Sequence, residues 1–204
     1  MNSIYKSIDK YYTNKINQYG ATPKGVDWNG EKSQFIRFEQ VSKIIKQDKF
    51  SINDIGCGYG KYSEFLLKNY ANFNYNGYDL STEMIDNAKK LYKQYNFQAI
   101  NNLKEIRISD YSIASGIFSV KMAHTKEEWL SYIFNTLEEI NLKSKKGFSF
   151  NMLTKYSDKE YMRDDLYYAD PLFFFDYCKC NFSRNVSLIH DYNLYEFTIL
   201  VRKD

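Results

Sequence analysis

Ser51-Ile52-Asn53-Asp54-Ile55-Gly56-Cys57-Gly58-Tyr59-Gly60 gathers three of the chain's nine glycines within five residues. A chain so sparing of glycine elsewhere needs, at this point, a backbone shape that side chains would obstruct. The run joins an apolar strand, Phe50–Ile55, to a helix over 61–69 that carries Tyr62, Phe65 and Leu66 on one face. Glycines at such a turn let the backbone approach a ligand closely. The helix N-terminus that follows suits an anionic or polar group.

Outward from the turn, strand and helix alternate. The next strand ends at Asp79, an acid placed to accept hydrogen bonds from two ribose hydroxyls. Ser81 caps a helix over 82–94 with Met84, Ile85, Ala88 and Leu91 inward. Strands follow at 97–100 and 111–118. Thr125 and Glu128 form a capping box for a helix over 126–140, whose Trp129, Tyr132, Ile133, Leu137 and Ile140 face inward. Gly147–Leu153 is a further strand. This alternation from about residue 50 to 153 predicts an α/β fold, a parallel sheet covered on both faces. Two amphipathic helices, 3–19 and 34–46, precede it around a loop that holds Trp28, and two strands, 186–190 and 195–202, follow it. The expected organisation is a single domain over 1–204: an N-terminal helical lid (1–46), a cofactor-binding core (47–153), a polar, aromatic, poorly periodic insertion (154–185) and a C-terminal β-hairpin (186–204).

The balance of 28 basic against 25 acidic residues gives +3, with no block of like charge. Neither a nucleic-acid arm nor an acidic tail is visible. Three cysteines, Cys57, Cys178 and Cys180, fit reduced thiols better than a disulfide framework. The N-terminus is too polar for a signal peptide and no apolar run is long enough to span a bilayer, so the expected location is cytoplasmic, without a membrane partner, as a monomer or homodimer. The aromatic excess, 18%, accompanies abundant Lys, Asn and Ile, all coded by AT-rich codons, so it marks no binding surface by itself.

The dinucleotide fingerprint requires a sixth-position glycine where this chain has Lys61, which disfavours a nicotinamide oxidoreductase. The runs DIGCGYG (54–60) and GYDLSTEMID (77–86) instead resemble the first two motifs of class I S-adenosylmethionine-dependent methyltransferases, over roughly residues 34–153. The resemblance implies a Rossmann-like, doubly wound, seven-stranded sheet, mostly parallel with the last strand antiparallel. It implies that Asp54, Gly56, Gly58 and Gly60 hold the methionine part of S-adenosylmethionine. Asp79 would take the ribose hydroxyls, with Leu80 and Met84 packing on adenine. Asn101 and Asn102 fall where the family often places an acid that reads the adenine amine, and an Asn departs from that pattern. Ser115, Gly116 and Ile117 would line the methionine and the methyl-transfer channel. No metal is demanded: metal-dependent relatives place carboxylates after strand four, where this chain reads SGIFSVKMAH.

Ligands of open α/β sheets lie beyond the carboxyl ends of the parallel strands. His124, after strand four, and His190, after strand six, are thereby candidate general bases, and each equally fits a structural hydrogen bond. Arg37 could clamp the cofactor carboxylate or an acceptor phosphate, or pack as a surface side chain beside Phe38. Trp28 either stacks on a ligand or pins its loop. Tyr156 and Tyr168 of the insertion, with Asp191 and Tyr192 of the last turn, are expected on the acceptor wall, and Phe173–Phe175 in the core. The leading expectation is methyl transfer to an O or N atom of a small polar metabolite. Blocks such as GVDWNGEKSQFIRF (25–38) also look like those of bacterial enzymes that modify surface-polysaccharide sugars or their phosphorylated precursors. The alternatives are an RNA or protein methyltransferase and a non-catalytic S-adenosylmethionine-binding module. Base-amine methylation is disfavoured, because the chain has only Pro23 and Pro171 and so lacks the Pro-Pro run of those enzymes.

Overall fold

The computed structural model describes residues 3–203. Its strands are β1 (Lys49–Ile55), β2 (Asn72–Asp79), β3 (Asn96–Ala99), β4 (Ser109–Ala114), β5 (Ser144–Leu153), β6 (Asn185–Ile189) and β7 (Glu196–Arg202). They form one sheet in the order β3-β2-β1-β4-β5-β7-β6. The first five strands pair in parallel, and β7 runs antiparallel to both β5 and β6. Strand β1 has β2 on one side and β4 on the other, so the order reverses there and a crevice opens at the carboxyl ends of β1 and β4.

The helices are α1 (Ser3–Tyr19), α2 (Glu31–Ser42), α3 (Lys61–Asn69), α4 (Thr82–Leu91), α5 (Lys126–Lys143) and α6 (Pro171–Asn181). Alternation along each strand divides the core in two. Phe50, Ile52, Ile113 and Leu200 pack with α2, α3 and α4 through Phe38, Leu66 and Ile85. Ile55, Phe148, Phe150 and Ile199 pack with α5 and α6 through Trp129, Ile133 and Phe174. Among the described residues no helix is long and apolar enough to cross a membrane.

Three departures from the sequence reading bear on the site. Strand β4 stops at Ala114 rather than Phe118, because Gly116 takes φ +83° and turns the chain into the crevice. Helix α2 starts three residues early and ends at Ser42. The insertion contains α6, opened by Asp170, which accepts a hydrogen bond from the Leu172 N–H, and by Pro171 in the first turn. Its Phe174 and Cys178 are buried on one face while Phe173 is exposed, so only part of the Phe triplet enters the core.

Candidate active site

The glycine turn is pinned from β2. The N–H groups of Gly56 and Cys57 both donate to the Tyr78 carbonyl, at 2.8 and 3.0 Å. The Gly58 N–H donates to Asp79 Oδ2 at 2.8 Å, and the Ser81 N–H donates to Oδ1 at 2.9 Å. Gly56 has φ +73°, and a Cβ there would stand 2.1 Å from Ile117 Cγ2. Glycine is therefore required by both conformation and space.

Beyond the turn lies a cavity of about 940 Å³, counting its open mouth. Its lining includes Asp54, Gly56, Gly58 and Asp79 from β1, the glycine turn and the end of β2, Leu80 and Met84 around the start of α4, Ile100 and Leu103 after β3, and Ser115, Gly116 and Ile117 after β4. Burial pushes the Asp54 carboxyl up to about 7, opposed by the Tyr75 hydroxyl and reinforced by the neighbouring charge of Asp79. That hydroxyl donates to Asp54 Oδ2 at 2.7 Å. Burial also raises Asp79, against the N–H groups of Ser81 and Gly58, which favour its charged form. Ser115 Oγ is buried with no hydrogen-bond partner.

Helix α1 and the loop after it add to the cavity's wall. Tyr5, Ile8 and Tyr12 of α1, with Val26 and Trp28 of the following loop, face inward. The Thr13 hydroxyl meets Ser81 Oγ at 2.7 Å and donates to Glu83 at 3.0 Å, tying α1 to α4. Asp27 accepts from the Tyr11 hydroxyl at 2.8 Å and pairs with Lys15. The Trp28 ring lies 3.0 Å from where a Gly116 Cβ would stand. The same ring has the Arg37 guanidinium 4.7 Å from its centroid and the Phe38 ring at 5.8 Å. Arg37 grips Glu196 of β7 in a buried ion pair, its Nε donating at 2.8 Å. Asn151 of β5 donates to Glu196 at 2.8 Å and accepts from the Gly116 N–H at 2.8 Å. Trp28, Arg37, Glu196, Asn151 and Gly116 thus form a ring of contacts that ties two cavity-lining residues, Trp28 and Gly116, to β5 and β7.

Of the residues singled out from sequence, Asp54, Gly56, Gly58, Asp79, Leu80, Met84, Ser115, Gly116, Ile117 and Trp28 line this one cavity. Gly60 stands behind it as the left-handed residue that opens α3. Others are elsewhere. Arg37 is held by Glu196 outside the wall. Asn101 and Asn102 are exposed; Asn102 Oδ1 caps the turn Leu103–Glu105 by accepting from the Lys104 N–H. His124 meets Ser7 Oγ of α1 at 3.1 Å and stacks on Trp129, fastening lid to α5. His190 is exposed beside Tyr156 and Phe197, because β7 inserts between β5 and β6 and moves the end of β6 out to the sheet edge. Tyr156 and Asp191 face solvent; the Tyr168 hydroxyl accepts from the Arg163 N–H, and Tyr192 is buried on Thr198. Sequence reasoning missed the inward tyrosines of α1 and, on α5, the pair Tyr132 and Thr136. The signal for the latter was a threonine within an apolar stripe.

With both histidines off the wall, His124→Ala and His190→Ala are each expected to keep turnover within about threefold on any acceptor the protein methylates. A loss of a hundredfold in either, with cofactor affinity intact, would return the general-base role to that residue. Among the described residues no three His, Cys, Asp or Glu side chains cluster as a metal site.

A sheet in this order, with a glycine turn at the switch point and an acid ending β2, defines a Rossmann-like domain of the class I methyltransferase type. Residues 52–140 match the methyltransferase domain family. The chain is 50% identical over 157 residues, 76% of its length and 95% of the other's, to the methyltransferase Rv1506c of Mycobacterium tuberculosis (strain ATCC 25618 / H37Rv). It belongs to the methyltransferase family. Its fold is also similar to magnesium protoporphyrin IX methyltransferase (ChlM) from Synechocystis PCC 6803, solved with bound SAM (TM-score 0.67, 13% identity, 100% of this chain and 99% of that one). The plantazolicin methyltransferase BpumL, solved with a pentazolic desmethylPZN analog and SAH, gives a TM-score of 0.64 at 15% identity over the whole of both chains.

Proposed function

We propose that this protein transfers the methyl group of S-adenosylmethionine to an oxygen or nitrogen of a small, neutral, polar metabolite, a sugar among the candidates. The observation that carries this is the set of groups gathered on one cavity: the Asp54 carboxyl, the Asp79 carboxyl at the end of β2, the glycine turn, and the apolar Leu80 and Met84. The residues fit the cofactor. Ser115 Oγ is buried without a partner, Gly56 and Gly58 put bare backbone on the cavity wall, and both carboxylates suit its ammonium and its ribose diol. Asp54 would hold the ammonium, Asp79 the diol, and Leu80 with Met84 the adenine. When bound, the cofactor supplies an electrophilic methyl group on sulfur. The chain's own share is orientation and dryness: Trp28 and the Ser115–Ile117 turn narrow the mouth, and Asp54 and Asp79 fix the ligand's rotation. Aromatic walls tolerate a sulfonium without opposing its charge.

The neutral acceptor is argued from the ion pairs. Lys61, the one Lys or Arg among the described residues that line the cavity, is paired with Glu31 and Glu64. Arg37 lies outside the cavity wall with its charge paired to Glu196, although its buried Nη1 has no hydrogen-bond partner, so among the described residues no cation lacking a counter-charge lines the cavity. Thermal-shift titration with S-adenosylmethionine, S-adenosylhomocysteine and NAD tests the cofactor, and stabilisation by NAD alone would sink it. A methyl-acceptance screen pairing neutral sugars and amines with their phosphorylated forms tests the acceptor class. Preference for the phosphorylated forms would reverse it.

The raised Asp54 carboxyl sets a pH dependence. Its folded value near 7 lies above the ordinary 3.8. Between those values the folded chain holds a proton that the unfolded chain has lost, so this group's contribution to stability falls as pH rises through that window. An ammonium bound beside Asp54 requires the carboxylate, and binding then expels the proton. Affinity for S-adenosylhomocysteine is expected to fall about tenfold per pH unit below 7. Asp54→Asn should flatten that slope; an equally flat slope in the unaltered protein would remove Asp54 from the ammonium.

A further inference from the structure

The end of the sheet away from the cavity gathers positive charge. The cavity follows the carboxyl ends of β1, β2 and β4, so the chain enters β1, β4, β5 and β6, and leaves β7, at the other end. The segments there, 43–49, 105–110, 143–146, 179–185 and 202–204, carry eleven Lys and Arg against four Asp and Glu, in a chain with 28 against 25. No run of like charge marks them in the sequence; the sheet assembles them. The Lys203 N–H donates to the Lys146 carbonyl at 2.8 Å, the Arg202 guanidinium to the Lys43 carbonyl at 3.1 Å, and the Lys179 ammonium to the Arg184 carbonyl at 2.7 Å. Lys46, Lys49, Lys145 and Arg184 are exposed. Of the cations named here, only Lys146 has a counter-charge among the described residues, Asp110 at 4.0 Å. With the whole chain at +3, an end this basic leaves the remainder net acidic.

Apolar side chains stand at the same end. Among the described residues the large exposed ones there are all aliphatic: Leu67 and Leu91 in the last turns of α3 and α4, Ile108 just before β4, and Leu142 in the last turn of α5. The exposed tyrosines Tyr156, Tyr161 and Tyr195 lie at the cavity end, after β5 and before β7. A nucleic acid would pair with the cations, but it would leave the aliphatic groups in water and find no exposed ring on which a base could stack. An anionic bilayer takes both. Its headgroups attract lysine and arginine within a Debye length, and the acyl boundary beneath them admits aliphatic side chains. We infer that the face at the amino ends of the parallel strands docks on an anionic phospholipid surface and holds the cavity toward the water. A contact of this kind needs no membrane-spanning helix. It goes beyond the methyl-transfer reading and does not depend on it.

The test is co-sedimentation of the intact protein with vesicles at about 0.1 M salt, where the Debye length is about 10 Å. Vesicles of phosphatidylcholine with about one-third phosphatidylglycerol should bind at least about tenfold more tightly than phosphatidylcholine alone. Lys46→Glu with Arg184→Glu should weaken that binding at least about thirtyfold. Lys126→Glu with Lys159→Glu makes the same change of net charge at the cavity end, where Lys126 opens α5 and Lys159 lies in the insertion. It should cost less than about threefold. Ile108→Ser with Leu142→Ser should weaken binding about fivefold. All these positions are exposed, so melting temperatures should match the parent. Equal binding to both kinds of vesicle, or equal losses from the two charge reversals, would overturn the inference. So would tighter binding to a short DNA duplex than to the anionic vesicles with no effect of the Ile108 and Leu142 changes, which would give the face to nucleic acid.

Discussion

Asp79→Ala is expected to weaken S-adenosylhomocysteine binding by at least about a hundredfold. The carboxylate does two things at once. One oxygen accepts from the Gly58 N–H and the other from the Ser81 N–H, so the group holds the glycine turn against the start of α4. An ionised carboxylate has about four lone-pair directions, which leaves room for both ribose hydroxyls of the proposed cofactor. Hydrogen bonds to charged groups contribute about 1.5–3 kcal/mol each, and two of them at the lower figure already give a hundredfold. Asp79→Asn should fall between, since its amide nitrogen has no lone pair for one of the two N–H groups. Stability should change less than affinity, because Asp79 is a buried carboxyl that the unliganded fold holds against its desolvation. Calorimetric titration beside a melting curve separates the two effects. An Asp79→Ala protein that binds within fivefold of the parent would remove Asp79 from the ribose.

The glycine turn and Asp79 were legible because their constraints are local. A positive φ at Gly56 and an acid at a strand end are written in neighbouring residues. Helix α3 and the end of β2 follow the sequence reading to the residue for the same reason. Helix α6 was hidden because three consecutive phenylalanines erase a 3.6-residue period, leaving Asp170-Pro171 as its one clear start signal. The histidines illustrate a different limit. Chain order places His124 and His190 past carboxyl ends of strands, but which way a ring turns depends on Ser7 and Trp129 in one case and on the position of β7 in the other. Arg37 shows it most sharply. Its partner Glu196 lies 159 residues away in the chain, and nothing near position 37 announces it.

Breaking that pair is expected to give the largest loss of stability of any single change in the ring of contacts it belongs to. Glu196 is 5% exposed and accepts from both Arg37 and Asn151. Glu196→Ala leaves the guanidinium buried without its counter-charge, and removing one partner of a buried pair costs about 3–5 kcal/mol. For a chain of this length each kcal/mol lowers the melting temperature by about 2–4 °C, so a fall of about 10 °C is expected. Replacing both partners, Arg37→Met with Glu196→Leu, should recover much of that loss, since apolar groups of similar volume can substitute for a buried pair. Cofactor affinity should not recover with it. The double variant still lacks the guanidinium under Trp28, and Asn151 loses the carboxylate that orients its amide toward the Gly116 N–H. A regained melting temperature with S-adenosylhomocysteine binding still at least about fivefold weakened would assign the ring to positioning the lid and the β4 turn. Recovery of both together would make it a stabilising element alone.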